Sequence, residues 1–166
     1  SLKGYAYSDE NPSDVNLNDC IESTLRMMWN ELKYSCTLEK QLGALPTIHC
    51  VSGHINQVLL NLFVNASHAM EGREGVLTVK TSCTDNIIQL EVADTGKGIK
   101  TKDINHIFEP FFTTKPVGHG TGLGMSICYD IIKQYGGNIR VESKVDIGSC
   151  FYISLPVNKD DKLDHA

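Results

Sequence analysis

No run in this chain approaches the roughly 18 consecutive apolar residues that a membrane span requires, and no secretory leader stands at its start. There is no C-x-x-C pair and no Cys/His cluster at zinc spacing among the six cysteines, Cys20, Cys36, Cys50, Cys83, Cys128 and Cys150. Several of these sit inside apolar patterns, so they read as reduced, buried thiols in a cytosolic protein rather than as a disulfide frame. A basic stripe is missing too, and with a net charge of −5 nothing is left to neutralise a nucleic-acid backbone. No internal repeat is present. What remains is the composition of one globular domain: 166 residues, 41% hydrophobic and 21% charged, long enough to bury a core. The chain opens on Ser1 rather than Met, and the expectation is a fragment of a longer protein.

Periodicity divides the chain into alternating helices and strands. Residues 1–13 are polar and turn-rich, ending in Asp9-Glu10-Asn11-Pro12-Ser13, and read as a linker. Asn18 or Asp19 is suited to cap a helix whose apolar face is Ile21, Leu25, Met28, Trp29 and Leu32. Thr37 to Leu42 alternates like a strand until Gly43 to Pro46 breaks it. A second helix is predicted from about Gly53 to Met70, burying Ile55, Val58, Leu59, Leu62, Phe63, Ala66 and Met70. A turn at Gly72 to Gly75 leads to two strands, Val76 to Lys80 and Ile87 to Val92. From Asp94 to Leu123 there is little periodicity, only turns, glycines and the aromatics Phe108, Phe111 and Phe112; an irregular segment of that length is usually functional or disordered. A third helix, Met125 to Tyr135, turns Ile127, Ile131 and Ile132 inward and closes at Gly136-Gly137. Strands at Asn138 to Ser143 and Ser149 to Leu155 finish the domain, and the polar tail after Pro156 reads as disordered. This order predicts an α+β fold: a two-layer α/β sandwich whose mixed, mostly antiparallel sheet is covered on one face by three helices.

Chemistry concentrates in two glycine-rich runs. Asp94-Thr95-Gly96-Lys97-Gly98-Ile99 places a carboxylate just past an alternating strand, where glycines let the backbone turn. Gly118-His119-Gly120-Thr121-Gly122-Leu123-Gly124 opens the third helix with unpaired backbone amides at its positive end, a cradle for phosphate. A carboxylate at one end and a phosphate cradle at the other suit a purine nucleotide, while each run alone is equally well an ordinary glycine turn. On the second helix, Asn61 and Asn65 are four apart at the edge of the buried stripe, a face shared with Gln57 and His68 or Ala69. Asn65 can offer a neutral oxygen to Mg²⁺, which takes few protein ligands beside water and phosphate; the plainer alternative is two exposed asparagines.

Asn61-Leu-Phe-Val-Asn65-Ala66 resembles the N box of histidine kinases, and Asp94 to Ile99 resembles their first glycine box. Phe108-Glu-Pro-Phe-Phe112-Thr-Thr-Lys115 is similar to their F box, Gly118 to Gly124 to their second glycine box, and Gly148 to Pro156 to their closing strand. The five boxes stand in the family's order across roughly residues 14–157. The resemblance implies the ATP-binding catalytic domain of a two-component sensor histidine kinase, with the Bergerat-type fold shared by gyrase, heat-shock chaperone and mismatch-repair ATPases. Residues 1–13 would then be a remnant of the connection to an upstream helical region, and 158–166 a disordered tail.

Carried over residue by residue, the resemblance implies that Asp94 accepts the adenine exocyclic amine, joined through water by Ser149, which stands where relatives often have Thr. Asn65 would coordinate Mg²⁺, and Asn61 and His68 would lie near the phosphates, His68 where many relatives carry a lysine. Ala69, Gly96, Gly98 and Ile99 would line the nucleotide, as would Phe112 and Thr113. Gly120, Thr121, Gly122, Leu123 and Gly124 would present amides to the phosphates, with Lys115 a charge partner. Phe108, Phe111 and Phe112 would anchor a lid over ATP, although aromatics beneath a long loop are equally often plain core. The ATPase branches carry a water-activating glutamate four residues before the magnesium asparagine. Here that position is Asn61, which cannot serve as a general base at neutral pH. Phosphoryl transfer to an imidazole that already carries a lone pair rests on positioning and charge neutralisation instead.

None of His49, His54, His68, His106, His119 and His165 sits in a phosphoacceptor context, so the acceptor is expected on an upstream dimerisation domain. The implied partners are that domain and, indirectly, a response regulator, with no nucleic acid and no direct membrane contact. The expected fragment is a monomer within a homodimeric parent, lying in the cytoplasm or on the cytoplasmic side of an inner-membrane sensor. Two other readings share these boxes: a serine kinase of the anti-sigma type, and a scaffold that binds ATP without chemistry.

Overall fold

A computed structural model describes residues 11–114 and 124–157. The elements run β1 (Ser13–Val15), α1 (Leu17–Leu32), β2 (Cys36–Leu42), β3 (Ile48–Cys50), α2 (Ser52–Ala69), β4 (Gly75–Thr84), β5 (Ile87–Asp94), α3 (Thr101–Ile104), α4 (Gly124–Gln134), β6 (Asn138–Lys144) and β7 (Gly148–Pro156). Five strands form one sheet in the order β2-β4-β5-β7-β6. Only β2 and β4 are parallel; every other neighbouring pair is antiparallel. The reason lies in the connections: short turns join β4 to β5 and β6 to β7, while β2 reaches β4 only after α2 has crossed the sheet. Among the described residues, no helix is long and apolar enough to cross a membrane.

Strand alternation sorts the side chains. Leu77 and Val79 of β4, Ile88, Leu90 and Val92 of β5, and Phe151, Ile153 and Leu155 of β7 are all buried beneath the helices. The intervening Lys80 and Gln89, and Arg140 on β6, face outward. On the helical side α2 supplies the stripe predicted for it, with Leu59 and Phe63 fully buried and Met70 buried just beyond its end. α1 and α4 flank α2, giving the expected two layers with one sheet face covered. All six cysteines are free thiols, three of them buried.

Several local details depart from the expectations. The helix cap is Asn16, whose side chain accepts the Asn18 amide at 2.9 Å. Asn18 is drawn away from capping because its side chain donates to the Gly43 carbonyl at 2.7 Å and accepts from the Thr81 hydroxyl at 2.8 Å. Trp29 is 41% exposed, since one residue past buried Met28 the helix has already turned about 100° off the core face. In α4 the innermost places go to Ser126, Cys128, Ile131 and Ile132, with Ile127 only half-buried. Two short elements carried no periodicity to announce them: the β1–β3 ladder, which begins at Ser13, and the single turn α3 inside the irregular stretch. The α4 terminus is as the glycine pair predicted, with the Gly136 amide on the Lys133 carbonyl and the Gly137 amide on that of Ile132 at 2.9 Å.

Candidate functional site

Between α2, the end of β5 and the start of α4 lies a cavity of about 650 Å³. Its walls include Asn61, Asn65, His68 and Ala69 from one face of α2, at the i, i+4 and i+3 spacings that put them in line. Asp94, Gly98, Ile99, Phe112, Thr113, Gly124 and Ser149 complete the set that structure and sequence share. Gly96 is not on the wall but directly behind it. Lys115, Gly120, Thr121, Gly122 and Leu123 lie outside the described residues.

Asp94 ends β5, opposite Ser149 on β7, and is 7% exposed. Its carboxylate accepts the Gly96 amide at 2.8 Å. Burial pushes its pKa above the ordinary aspartate value, while backbone hydrogen bonds from Gly96 and Ser149 work in the opposite direction. A buried acceptor with spare lone pairs, at the wall of a cavity, is matched to a donor on whatever enters.

The loop after Asp94 is stitched on both sides. The Lys97 amide donates to the Ala69 carbonyl at the end of α2 at 2.9 Å, and the Lys97 carbonyl accepts the Asp146 amide from the β6–β7 turn at 2.8 Å. The Ile99 amide reaches the Ser143 hydroxyl at 2.7 Å. This closeness explains the glycines: a Cβ on Gly96 would drive into the Ala69 carbonyl, and one on Gly98, which holds φ at +74°, into that of Lys144. The loop backbone thus forms the floor of the pocket, with no side chain between it and α2.

At the far end, Asn61 donates its side-chain amide to the Gly124 carbonyl at 3.1 Å, tying the first residue of α4 to α2. Asn61 also lines the cavity, and Asn65 stands one helical turn further on. No group of three or more His, Cys, Asp or Glu side chains that could hold a metal ion gathers among the described residues. The donor set is instead a pair of neutral carboxamides, which fits a hard cation that draws its other ligands from phosphate and water.

Of the three aromatics, Phe112 lines the cavity while Phe108 packs edge-on against Phe151, ring centroids 6.5 Å apart, and beside Tyr129. Phe111 points away, 74% exposed, with φ at +67°. So one of the three joins the wall, one joins the core and one faces solvent. Among the wall residues that sequence reasoning missed are Val64, Lys97, Lys100, Asp103, Ile107 and Val145. Val64 was legible in principle, three residues after Asn61 on the same helix face; the others come from irregular segments with no periodic signal.

An α/β sandwich with a buried carboxylate, a glycine floor and paired carboxamides around one cavity is the architecture of a nucleotide-binding domain. The comparisons make this specific. Residues 50–159 match the family described as histidine kinase-, DNA gyrase B- and HSP90-like ATPases. The sensor histidine kinase ZraS of Klebsiella oxytoca is 40% identical over 152 residues, covering 89% of this chain and 32% of that protein. Sporulation kinase D of Bacillus subtilis is 37% identical over 147 residues, covering 86% of this chain and 28% of its own length. Among solved structures, the catalytic domain of histidine kinase ThkA superposes with a TM-score of 0.77 at 29% identity, covering 88% of this chain and 95% of that domain. ThkA in complex with the response regulator protein TrrA matches with a TM-score of 0.72 at 26% identity, over 87% of this chain and 41% of that one. The chain belongs to the histidine kinase-, DNA gyrase B- and HSP90-like ATPase family, as an ATP-binding catalytic domain of the histidine-kinase type. It spans about a third of the length of the curated relatives it matches.

Proposed function

We propose that this domain binds Mg-ATP in the cavity beside α2 and donates the γ-phosphoryl group to a histidine on a helical dimerisation domain of its parent protein. The observation that carries the reading is the pairing of ends: a buried carboxylate acceptor at Asp94 and paired carboxamides at Asn61 and Asn65, across one 650 Å³ space. Asp94 would take the adenine amine, an interaction that guanine, with an oxygen in that place, cannot make. Asn65 would hold Mg²⁺, with Asn61 and His68 beside the phosphates; the ion would supply neutralisation of phosphate charge. Gly98 and Ile99 would shape the floor under the base, with Gly96 packed behind them against Ala69, and Phe112 and Thr113 would border it. Gly120 to Gly124 and Lys115 would face the phosphates.

The side chains present favour transfer over hydrolysis. Asn61 occupies the place a water-activating base would need, and its carboxamide has no proton affinity to offer at neutral pH. It is also engaged structurally, through its bond to Gly124. Water at that position finds no base in Asn61, whereas a neutral imidazole brings its own lone pair. That the chain spans about a third of its curated relatives supports reading it as one part of a longer protein; the acceptor histidine, the response regulator served in the next step and the homodimeric, cytoplasmic setting all belong to this proposal.

The test mixes the chain in trans with the helical segment that precedes it in its parent protein, using ATP labelled at the γ-phosphate. Acid-labile, base-stable label on a histidine is the expected result. Acid-stable label on serine would move the assignment to a serine kinase, and tight ATP binding without any transfer would reduce the domain to a nucleotide-binding scaffold.

A further inference from the structure

Three strands carry a row of polar side chains across the inner face of the sheet at the base end of the cavity. Asp94 on β5 lies opposite Ser149 on β7, and Ser149 opposite Ser143 on β6. Asp94 and Ser149 are each 7% exposed. Neither box nor motif singles out Ser143, yet its hydroxyl meets three partners: the Ile99 amide at 2.7 Å, the Gly148 carbonyl at 3.1 Å and the Ser149 hydroxyl at 2.7 Å.

A serine hydroxyl has one proton and two lone pairs. The Ile99 N–H can only donate, so it consumes one lone pair of Ser143. The Gly148 carbonyl can only accept. If Ser143 gives its proton to Gly148, Ser149 must donate to Ser143 and keeps only lone pairs for the cavity. If Ser143 gives its proton to Ser149, the Ser149 proton is released toward the cavity. In either arrangement the donor or acceptor character that Ser149 shows beside Asp94 is set by Ser143. The same hydroxyl holds Ile99, and through Ile99 the loop whose Gly96 amide orients the Asp94 carboxylate.

We propose that Ser143 is a positioning residue for base recognition: it touches no ligand itself, but fixes both the loop behind Asp94 and the hydrogen-bond polarity of Ser149. The inference rests on the adenine reading of the cavity. Removing the hydroxyl frees the Ile99 amide and leaves Ser149 able to turn, so the site loses sharpness toward the base rather than its fold. The loss falls on discrimination, because the carboxamides of α2 that face the phosphate end are untouched.

The measurement is a titration of the full chain with Mg-ATP and with the purine riboside triphosphate that lacks the exocyclic amine, for wild type, Ser143→Ala and Ser143→Cys. Wild type should prefer ATP. In Ser143→Ala that preference should shrink by about three- to tenfold, the scale of one lost hydrogen bond in a buried site, while circular dichroism shows an intact fold. Should Ser143→Ala fail to fold, Ser143→Cys keeps a side chain of the same shape, slightly larger, and replaces the hydroxyl by a weak hydrogen-bonding thiol, and the same loss is expected there. A folded variant that retains the full wild-type preference overturns the role of Ser143 and leaves the cavity assignment standing. A wild-type chain that binds ATP no better than the amine-free nucleotide removes the adenine reading, and this inference with it.

Discussion

Asp94 shows how one buried side chain ties stability and ligand affinity to pH in opposite directions. Burial raises its pKa above the ordinary aspartate value of 3.8. The native state therefore holds a proton over a window, upward from that value, in which the unfolded chain has already released it. The stabilising contribution of this group is present at the acid end and lost as pH rises through the folded-state pKa. Nucleotide binding needs the ionised acceptor and runs the other way: ATP affinity should fall as pH is lowered into that window, which titration calorimetry at several pH values would detect. Asp94→Asn substitutes an amide that can present N–H toward the amine, and should weaken ATP binding by about 1–3 kcal/mol while binding of the amine-free nucleotide changes little. Equal affinity for ATP in the variant would remove the adenine assignment.

Among the elements, α4 is held to α2 at both ends. Asn61 grips its first carbonyl, and the Tyr135 hydroxyl just past its last turn accepts the Val51 amide at 3.1 Å and pairs with His54 Nδ1 at 2.6 Å. Val51 caps α2 without a side-chain hydrogen bond of its own, and Tyr135 satisfies the free amide of that cap residue. Tyr135→Phe keeps the ring and leaves the Val51 amide unpaired. The expected cost is about 1–2 kcal/mol, seen as a melting temperature lower by a few degrees. Affinity for ATP should stay near wild type, because the change lies at the far end of α4 from Gly124. A large loss of ATP binding without a thermal effect would show that the anchor serves the site rather than the packing.

On the scale of the whole molecule, the fold closes without covalent staples. The six cysteines are free, and burial raises the pKa of Cys50 to about 11 and of Cys128 to about 12, keeping both as neutral thiols at neutral pH. Thermal melts with and without a thiol reductant should coincide, and a clear drop on reduction would reveal a disulfide that contradicts this arrangement. The outer sheet face carries ordinary surface pairs, such as Arg140 with Glu142 at 2.9 Å, which contribute little to stability. Stability rests instead on the single apolar layer between sheet and helices.

Local rules acting on near neighbours determined much of this protein. The α2 stripe, the glycine closure of α4 and the strand pairs β4–β5 and β6–β7 follow from period and turn chemistry, so residues a few positions apart were enough to read them. The family boxes were legible for the same reason, each being a short contiguous run. Only the tertiary structure decided which groups meet across long separations. Asn16 rather than Asn18 became the cap because Gly43 and Thr81, distant in the chain, claim the Asn18 side chain. Ser143 meets Gly148 and Ser149 across its own hairpin, but acquired Ile99 as a partner because the sheet brings it beside a loop more than forty residues earlier. Hydrogen-bond partners in a buried site are selected by where the backbone folds back, and no periodicity along the chain records that choice.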